Sequence, residues 1–151
     1  MNKLKKGFTL IELIVVIGII GLLSAIILVF LTGAKQKGND TAKINSMSEV
    51  RKALQMYASD YNGFPGSTTT LAEKGYIQTI NPGILYVGTD AKGLVCNTDS
   101  CTSYHLAIVL DDPTNIVLKA DSNGISGGIN GNTKNCLPDG GLPNSCYDII
   151  P

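Results

Sequence analysis

The sequence predicts an α+β fold in which a long N-terminal helix packs on a small antiparallel sheet and a loop-rich C-terminal segment follows. The long helix is predicted from an apolar run that continues into an apolar stripe with helical spacing. The sheet rests on three short segments with strand character in the C-terminal half. The loop-rich segment rests on the glycine and asparagine content of residues 121–151.

The apolar run 8–31 is long enough to cross a membrane. As a helix it spans roughly 36 Å at about 1.5 Å per residue, whereas the hydrocarbon core of a bilayer is about 30 Å thick. Lys3, Lys5 and Lys6 precede the run, so the positive-inside rule predicts a cytoplasmic N-terminus. The run does not fit a secretory signal peptide, which has a shorter apolar core followed by a cleavage site.

Glu12 is the only charged residue of this run. A carboxylate inside a bilayer costs roughly 2.5–3.5 kcal/mol, and a simple membrane anchor gives it no role. The stretch GFTLIE at 7–12 resembles the prepilin signature of type IV pilins and type II secretion pseudopilins. The resemblance implies that a membrane-embedded peptidase cuts after Gly7 on the cytoplasmic side and that the new terminal Phe8 is then N-methylated.

In this family a glutamate stands at the position of Glu12. Cleavage would create an α-amino group at Phe8, and a buried ammonium and a buried carboxylate are each costly unless they are paired. The resemblance therefore implies an assembly role for Glu12, in which its carboxylate meets the Phe8 amine of a neighbouring subunit and sets the axial register of a filament.

The predicted organisation has four parts: a leader peptide at 1–7, a membrane-spanning and filament-core helix at 8–31, an amphipathic second half of that helix at 32–62, and a globular head at 63–151. The apolar stripe of the second half has spacings of three and four residues and consists of Met47, Val50, Leu54, Tyr57 and Tyr61.

The ends of the second half carry helix-boundary signals. Asn39-Asp40-Thr41 can cap a helix or mark a soft spot in a longer one. The helix is expected to end near Asn62-Gly63, because Pro65 cannot continue it.

The segments LQMYASDYNGFP at 54–65 and LAEKGYI at 71–77 are similar to the region after the long helix in the major pseudopilin of type II secretion and its pilin relatives. They predict a turn, a short helical piece near 70–74 and a loop around 81–83.

Strands are predicted at 84–88, 104–110 and 115–120, with a hairpin connection at 111–114. Strands this short need the cover of the helix. His105 alternates with the apolar positions of its strand, so it is expected on the exposed face.

Residues 121–151 are predicted to form a surface loop that contains two of the four cysteines. An even number of cysteines after an export-type N-terminus favours disulfides. Local pairing of Cys96 with Cys101 and of Cys136 with Cys146 is preferred, and two crossed pairings stay open. A four-cysteine zinc site would need more closely spaced pairs.

No cofactor is predicted, and calcium is the one weak candidate. Asp121-Ser122-Asn123-Gly124 is similar to the start of a calcium loop, but Asn132 stands where an EF-hand has its twelfth-position glutamate. The major pseudopilins bind calcium in a C-terminal loop, which makes Asp121 or Asp139 a possible ligand. A turn-forming role for both is favoured.

The sequence predicts a non-enzyme that is itself the substrate of a processing enzyme. It has one histidine and a net charge of zero, and no spacing suggests a catalytic group or a polyanionic ligand. The resemblance implies a structural subunit of a type IV pilus-like filament or a type II secretion pseudopilus, with roles in protein secretion, adhesion, motility or DNA uptake. The alternative is a non-polymerising, single-pass, membrane-anchored binding domain.

The resemblance also implies location and partners. The chain is expected in the inner membrane and then in a periplasmic or extracellular filament. The implied partners are further copies of the chain, minor pilins or pseudopilins, prepilin peptidase and an inner-membrane assembly platform.

Overall fold

The computed structural model describes residues 7–122, 124–131, 136–137 and 145–151, and it confirms the predicted α+β class. The chain divides into two compact units, of which the first ends at Gln36 and the second is Lys37–Pro151. The elements in chain order are the helices α1 (Leu10–Tyr61) and α2 (Thr68–Glu73), the strands β1 (Ile84–Thr89) and β2 (Ser103–Val109), a 3₁₀ helix (Ile116–Lys119), and the strands β3 (Ile125–Ser126), β4 (Ile129–Asn130) and β5 (Cys146–Ile149).

Helix α1 is continuous for 52 residues. The apolar stripe of its second half packs against the sheet of the same unit, and Met47, Val50, Leu54 and Tyr57 are at most 1% exposed. The predicted end is confirmed, because Asn62 takes a left-handed backbone conformation with φ of 55° that asparagine tolerates better than most residues. Tyr61, the last residue of the predicted stripe, is half-exposed instead of buried.

The main sheet has the strand order β1-β2-β5, and both pairings are antiparallel. Strand β2 is therefore central, and its residues Tyr104, Leu106 and Ile108 share a buried cluster with α1. Its opposite face is also covered, because Ala107 is buried in a second cluster with Ile129 and the cysteines 136 and 146. A sheet covered on both faces leaves little room for an exposed residue on β2.

The prediction of a strand at 115–120 is wrong. Asn115 accepts a hydrogen bond from the Val117 backbone N–H and starts the 3₁₀ helix Ile116–Lys119, a local bond that competes with strand pairing. The third strand is instead β5, which lies in the tail that was predicted to be surface loop. The tail also forms the two-stranded sheet of β3 and β4. Strands of two to four residues are too short for periodicity to reveal.

The Asn39-Asp40-Thr41 segment neither caps nor interrupts α1, which runs straight through it. Asp40 is fully buried. Its carboxylate accepts hydrogen bonds from the backbone N–H groups of Asp111 (2.6 Å) and Asp112 (3.1 Å) and from the side-chain amide of Asn115 (3.2 Å). Asp40 therefore fixes the loop after β2 onto the helix.

The prediction that His105 is exposed is also wrong, because its side chain is 0% exposed. Its Nε2 lies 2.8 Å from Oδ2 of Asp148 on β5, so a polar partner compensates its burial. The partner comes from the tail, which is why the alternation within residues 104–110 did not reveal it.

Candidate assembly site at the start of the long helix

Helix α1 begins with a reciprocal capping arrangement. Oε2 of Glu12 accepts hydrogen bonds from the backbone N–H of Thr9 (2.8 Å) and from its Oγ1 (2.6 Å), and Oγ1 of Thr9 lies 3.4 Å from the backbone N–H of Glu12. A threonine before the first turn and a glutamate three residues later form a capping box. The carboxylate also lies at the positive end of the helix dipole.

The surroundings of this capping box are apolar and exposed. Phe8 is 83% exposed. A cavity of about 300 Å³ on the helix surface is lined by Phe8, Ile11, Glu12, Val15 and Val16. The structure thus places Phe8 and Glu12, two residues singled out from the sequence, on one surface.

Sequence reasoning did not identify Thr9, although the signal was present. The spacing Thr-x-x-Glu at 9–12, at the start of the apolar run, is the sequence signature of a capping box. Gly7 and Phe8 precede the first helical residue, Leu10. The bond between them therefore lies outside the helix.

Two comparisons point to pili and secretion systems. Residues 2–28 match the family model described as the prokaryotic N-terminal methylation motif. The chain is 36% identical over 49% of its length to the type IV wide pilus major component PilA4 of Thermus thermophilus. It is 32% identical over 52% of its length to the type II secretion system core protein G of Pectobacterium carotovorum. The alignments cover 56% and 50% of these two relatives, so the chain spans about half of their length.

A third relative aligns over nearly the whole chain. The prepilin peptidase-dependent protein D of Escherichia coli K12 is 30% identical over 99% of this chain and 96% of its own length. The chain belongs to the type IV pilin and type II secretion pseudopilin family. No solved structure matches it.

The relatives of this pilin-family chain are structural proteins. Its helix α1 contains a segment that is long and apolar enough to cross a membrane. Together with the family membership, this segment indicates a membrane-anchored protein.

The cysteines of the pilin head form two disulfides, Cys96–Cys101 and Cys136–Cys146, which are the local pairs preferred from the sequence. The second disulfide joins Cys136 to Cys146, the first residue of β5, and both of its cysteines are fully buried. It therefore forms part of the cover on the second face of the sheet.

The structure describes only one of the two calcium candidates, Asp121. Asp139 lies outside the described residues. Both carboxylate oxygens of Asp121 are buried and have no hydrogen-bond partner among the described residues. The part of the chain that the structure describes contains no group of three or more His, Cys, Asp and Glu side chains arranged to hold a metal ion.

Proposed function

We propose that the chain is a filament subunit that prepilin peptidase cuts after Gly7 and that polymerises through its N-terminal helix. The proposal rests on one observation. The proposed cut site and the Glu12 carboxylate lie together at the start of α1. Glu12 is the only charge within 8–31, and it lies on the surface that Phe8 also lines. The name of the full-length relative, a prepilin peptidase-dependent protein, supports the same processing step.

Cleavage supplies the group that Glu12 lacks. Hydrolysis of the bond between Gly7 and Phe8 frees an α-amino group, whose reference pKa of about 8 makes it cationic at neutral pH. Among packed helices this ammonium and a carboxylate stabilise one another only when they meet. Before cleavage the peptide nitrogen of Phe8 carries no charge, so the leader keeps the subunit incompetent for assembly.

Thr9 is the positioning residue in this proposal. Its backbone N–H and its hydroxyl both donate hydrogen bonds to Oε2 of Glu12, and Oε1 accepts none among the described residues. A neighbouring Phe8 amine can therefore approach Oε1 while the capping box stays closed. The capping box holds the carboxylate in one orientation, so less conformational entropy is lost when the neighbour binds.

The orientation follows from the basic leader. Lys3, Lys5 and Lys6 hold the N-terminus in the cytoplasm, where the cut is made, and the head at 63–151 lies on the other side of the inner membrane. In the filament the apolar helices form the core and the heads face outward. Partners are further copies of the chain, minor subunits, the peptidase and the assembly platform.

The mass of the native protein, isolated from the membranes of its host, tests the processing step. We expect loss of residues 1–7 and addition of one methyl group at Phe8. An intact N-terminus would overturn the proposal and favour the non-polymerising anchored domain. Neighbouring genes distinguish the two filaments, since a secretin with minor pseudopilins indicates secretion and a retraction ATPase indicates a pilus.

Substitution of Glu12 tests the assembly step. We expect Glu12→Ala to insert into the membrane normally, because it removes a charge from the apolar run, yet to reduce the yield of sheared filaments by more than about tenfold. Thr9→Val, which keeps the side-chain shape and removes the hydroxyl, should give an intermediate yield. Thr9→Ser is the matched control and should assemble like the wild type. A normal filament yield from Glu12→Ala would contradict the proposed pairing.

A further inference from the structure

A groove lies at the beginning of the second compact unit, Lys37–Pro151. It encloses about 410 Å³ between helix α1 and the segment that follows β2. Helix α1 and this segment both contribute to its lining, which consists of Lys37, Thr41, Asp112, Thr114, Asn115 and Ile116. The groove therefore combines a cation, a carboxylate and an apolar side chain, and none of them belongs to the site at the start of α1.

Hydrogen bonds hold the wall of the groove that follows β2 in place. The buried Asp40 carboxylate accepts from the backbone N–H of Asp112 (3.1 Å) and from the side-chain amide of Asn115 (3.2 Å). Oδ1 of Asp112 in turn accepts from the backbone N–H (2.8 Å) and the hydroxyl (2.6 Å) of Thr114. A wall held in this way loses little conformational entropy when a ligand binds.

The two charges in the groove are close but not in direct contact. Lys37 and Asp112 form no ion pair with one another, unlike Lys43 and Asp111. Hydrogen bonds from Thr114 lower the pKa of Asp112 most, and the charge of Lys37 lowers it further. Oδ2 of Asp112 accepts no hydrogen bond from the described residues. A ligand that carries an anion and a cationic N–H donor therefore matches the groove.

Ile116 adds an apolar contact beside these charges. It is 71% exposed, whereas the next two residues of the 3₁₀ helix, Val117 and Leu118, pack against the core. A single exposed isoleucine is ordinary on a protein surface. Here it lines the same groove as Lys37 and Asp112, so the matching ligand also has an apolar part.

The course of α1 brings the groove close to the membrane surface. Lys37 follows Leu31, the last residue of the apolar run, by six residues. Because α1 is continuous here, six residues advance about 9 Å. The headgroup layer on each side of the hydrocarbon core is about 5–8 Å thick, and a lysine side chain extends toward such a layer. The ammonium of Lys37 can therefore reach lipid phosphates.

We propose that the groove binds the headgroup of a zwitterionic phospholipid with a primary ammonium group and so docks the second compact unit on the membrane. Lys37 binds the phosphate, Oδ2 of Asp112 accepts a hydrogen bond from the ammonium, and Ile116 contacts the glycerol and the first acyl carbons. The proposal rests on the membrane anchoring of the chain and not on its polymerisation.

An introduced tryptophan tests the docking, because the chain has none. Ile116→Trp places an indole in the groove, and Ile125→Trp is the matched control, since Ile125 is also 71% exposed and lies on β3. Each full chain is reconstituted singly in nanodiscs of phosphatidylethanolamine with some phosphatidylglycerol and a trace of lipid that carries a nitroxide on its headgroup. We expect strong quenching of Ile116→Trp and little quenching of Ile125→Trp.

Charge variants of Ile116→Trp test the headgroup contacts. Lys37→Gln should lower the ratio of docked to undocked chains about fivefold, the effect expected for one lysine near an anionic surface. Lys52→Gln removes another exposed cation of α1 and should leave the ratio unchanged. Phosphatidylcholine, whose quaternary ammonium has no N–H, should dock less than phosphatidylethanolamine, and Asp112→Asn should abolish this difference between the two lipids.

The wild type gives a second measurement, which is needed because tryptophan itself favours membrane interfaces. Acylation of Lys37 by a water-soluble amine reagent, mapped by mass spectrometry, should be slower in phosphatidylethanolamine nanodiscs than in phosphatidylcholine nanodiscs. Lys52 should react equally in both. Glu12→Ala should give the same result as the wild type, which separates docking from the assembly step.

Three results would overturn the docking. The first is equal quenching of Ile116→Trp and Ile125→Trp. The second is equal acylation of Lys37 in the two lipids. The third is quenching or slow acylation that appears only when two chains share a nanodisc, which would assign the groove to a second copy of the chain.

Discussion

At the residue scale, three carboxylates of this chain differ in which groups donate hydrogen bonds to them. Glu12 is held by its own helix start, and Asp40 is held by backbone N–H groups from a loop about seventy residues away along the chain. Asp121 has no hydrogen-bond partner among the described residues. Backbone donors compensate buried charge well. Asp40 can therefore be fully buried in the middle of a helix, at a position where the sequence pattern indicated a possible helix boundary.

Replacement of Asp40 should destabilise the head strongly. Asp40→Ala leaves the N–H groups of Asp111 and Asp112 without an acceptor, and each such loss costs about 1–3 kcal/mol. Lys43→Ala is the matched control, because it removes a partly exposed ion pair with Asp111 at 2.5 Å that contributes about 1 kcal/mol or less. Urea unfolding followed by circular dichroism in detergent measures both. Equal effects of the two variants would contradict the role given to Asp40.

At the element scale, β5 illustrates how a short strand is secured. It has only four residues and pairs with β2 along one edge, so its own hydrogen bonds contribute little. The Cys136–Cys146 disulfide fixes its first residue, and Asp148 fixes its centre through His105. A disulfide and a buried polar contact therefore supply the stabilisation that so short a strand does not gain from its own hydrogen bonds.

Removal of the two disulfides should have unequal effects. The chain-entropy relation gives about 2.7 kcal/mol for the ten-residue separation of Cys136 and Cys146 and about 2.1 kcal/mol for the five-residue separation of Cys96 and Cys101. The first pair also anchors β5, so the double variant Cys136→Ala/Cys146→Ala should lose the larger share of stability. Unfolding of the two double variants in urea measures the difference. A greater loss in Cys96→Ala/Cys101→Ala would show that β5 is held by other contacts.

At the scale of the whole molecule, tyrosine hydroxyls connect the elements of the second compact unit, Lys37–Pro151. Tyr57 of α1 donates to the backbone carbonyl of Asp99 (3.2 Å), and Tyr86 of β1 donates to that of Pro65 (2.5 Å). Tyr76 donates to the Asp60 carboxylate. This hydrogen bond raises the pKa of Tyr76 to about 12, and burial raises the pKa of Tyr86. Each bond requires a protonated phenol.

Alkaline pH should therefore destabilise the head. Because the folded-state pKa of Tyr76 lies above its ordinary value of 10, the stabilisation is complete below pH 10 and is lost as the pH rises through about 12. Urea midpoints of the full chain in detergent should fall from pH 9 to pH 11.5. Tyr76→Phe should show a smaller fall, since its phenol no longer titrates. The same fall in both proteins would contradict this role of Tyr76.

The sequence alone determined the features that depend on local order along the chain. The run 8–31, the GFTLIE motif and the apolar stripe after residue 40 each lie within one continuous segment, and helical periodicity reports such segments well. The fold class, the end of α1 and the strands around 84–88 and 104–110 followed from the same kind of signal.

Only the tertiary structure decided the features that join distant segments. The burial of His105 depends on Asp148, the role of Asp40 on the loop at 111–115, and the third strand on the pairing of Cys146–Ile149 with β2. No local sequence pattern reveals such partners, because the pattern of a short polar or apolar segment is the same whether or not another segment covers it in the folded chain. The cover comes from the folding of the tail across the sheet, and that cover turned a residue expected in solvent into part of the core.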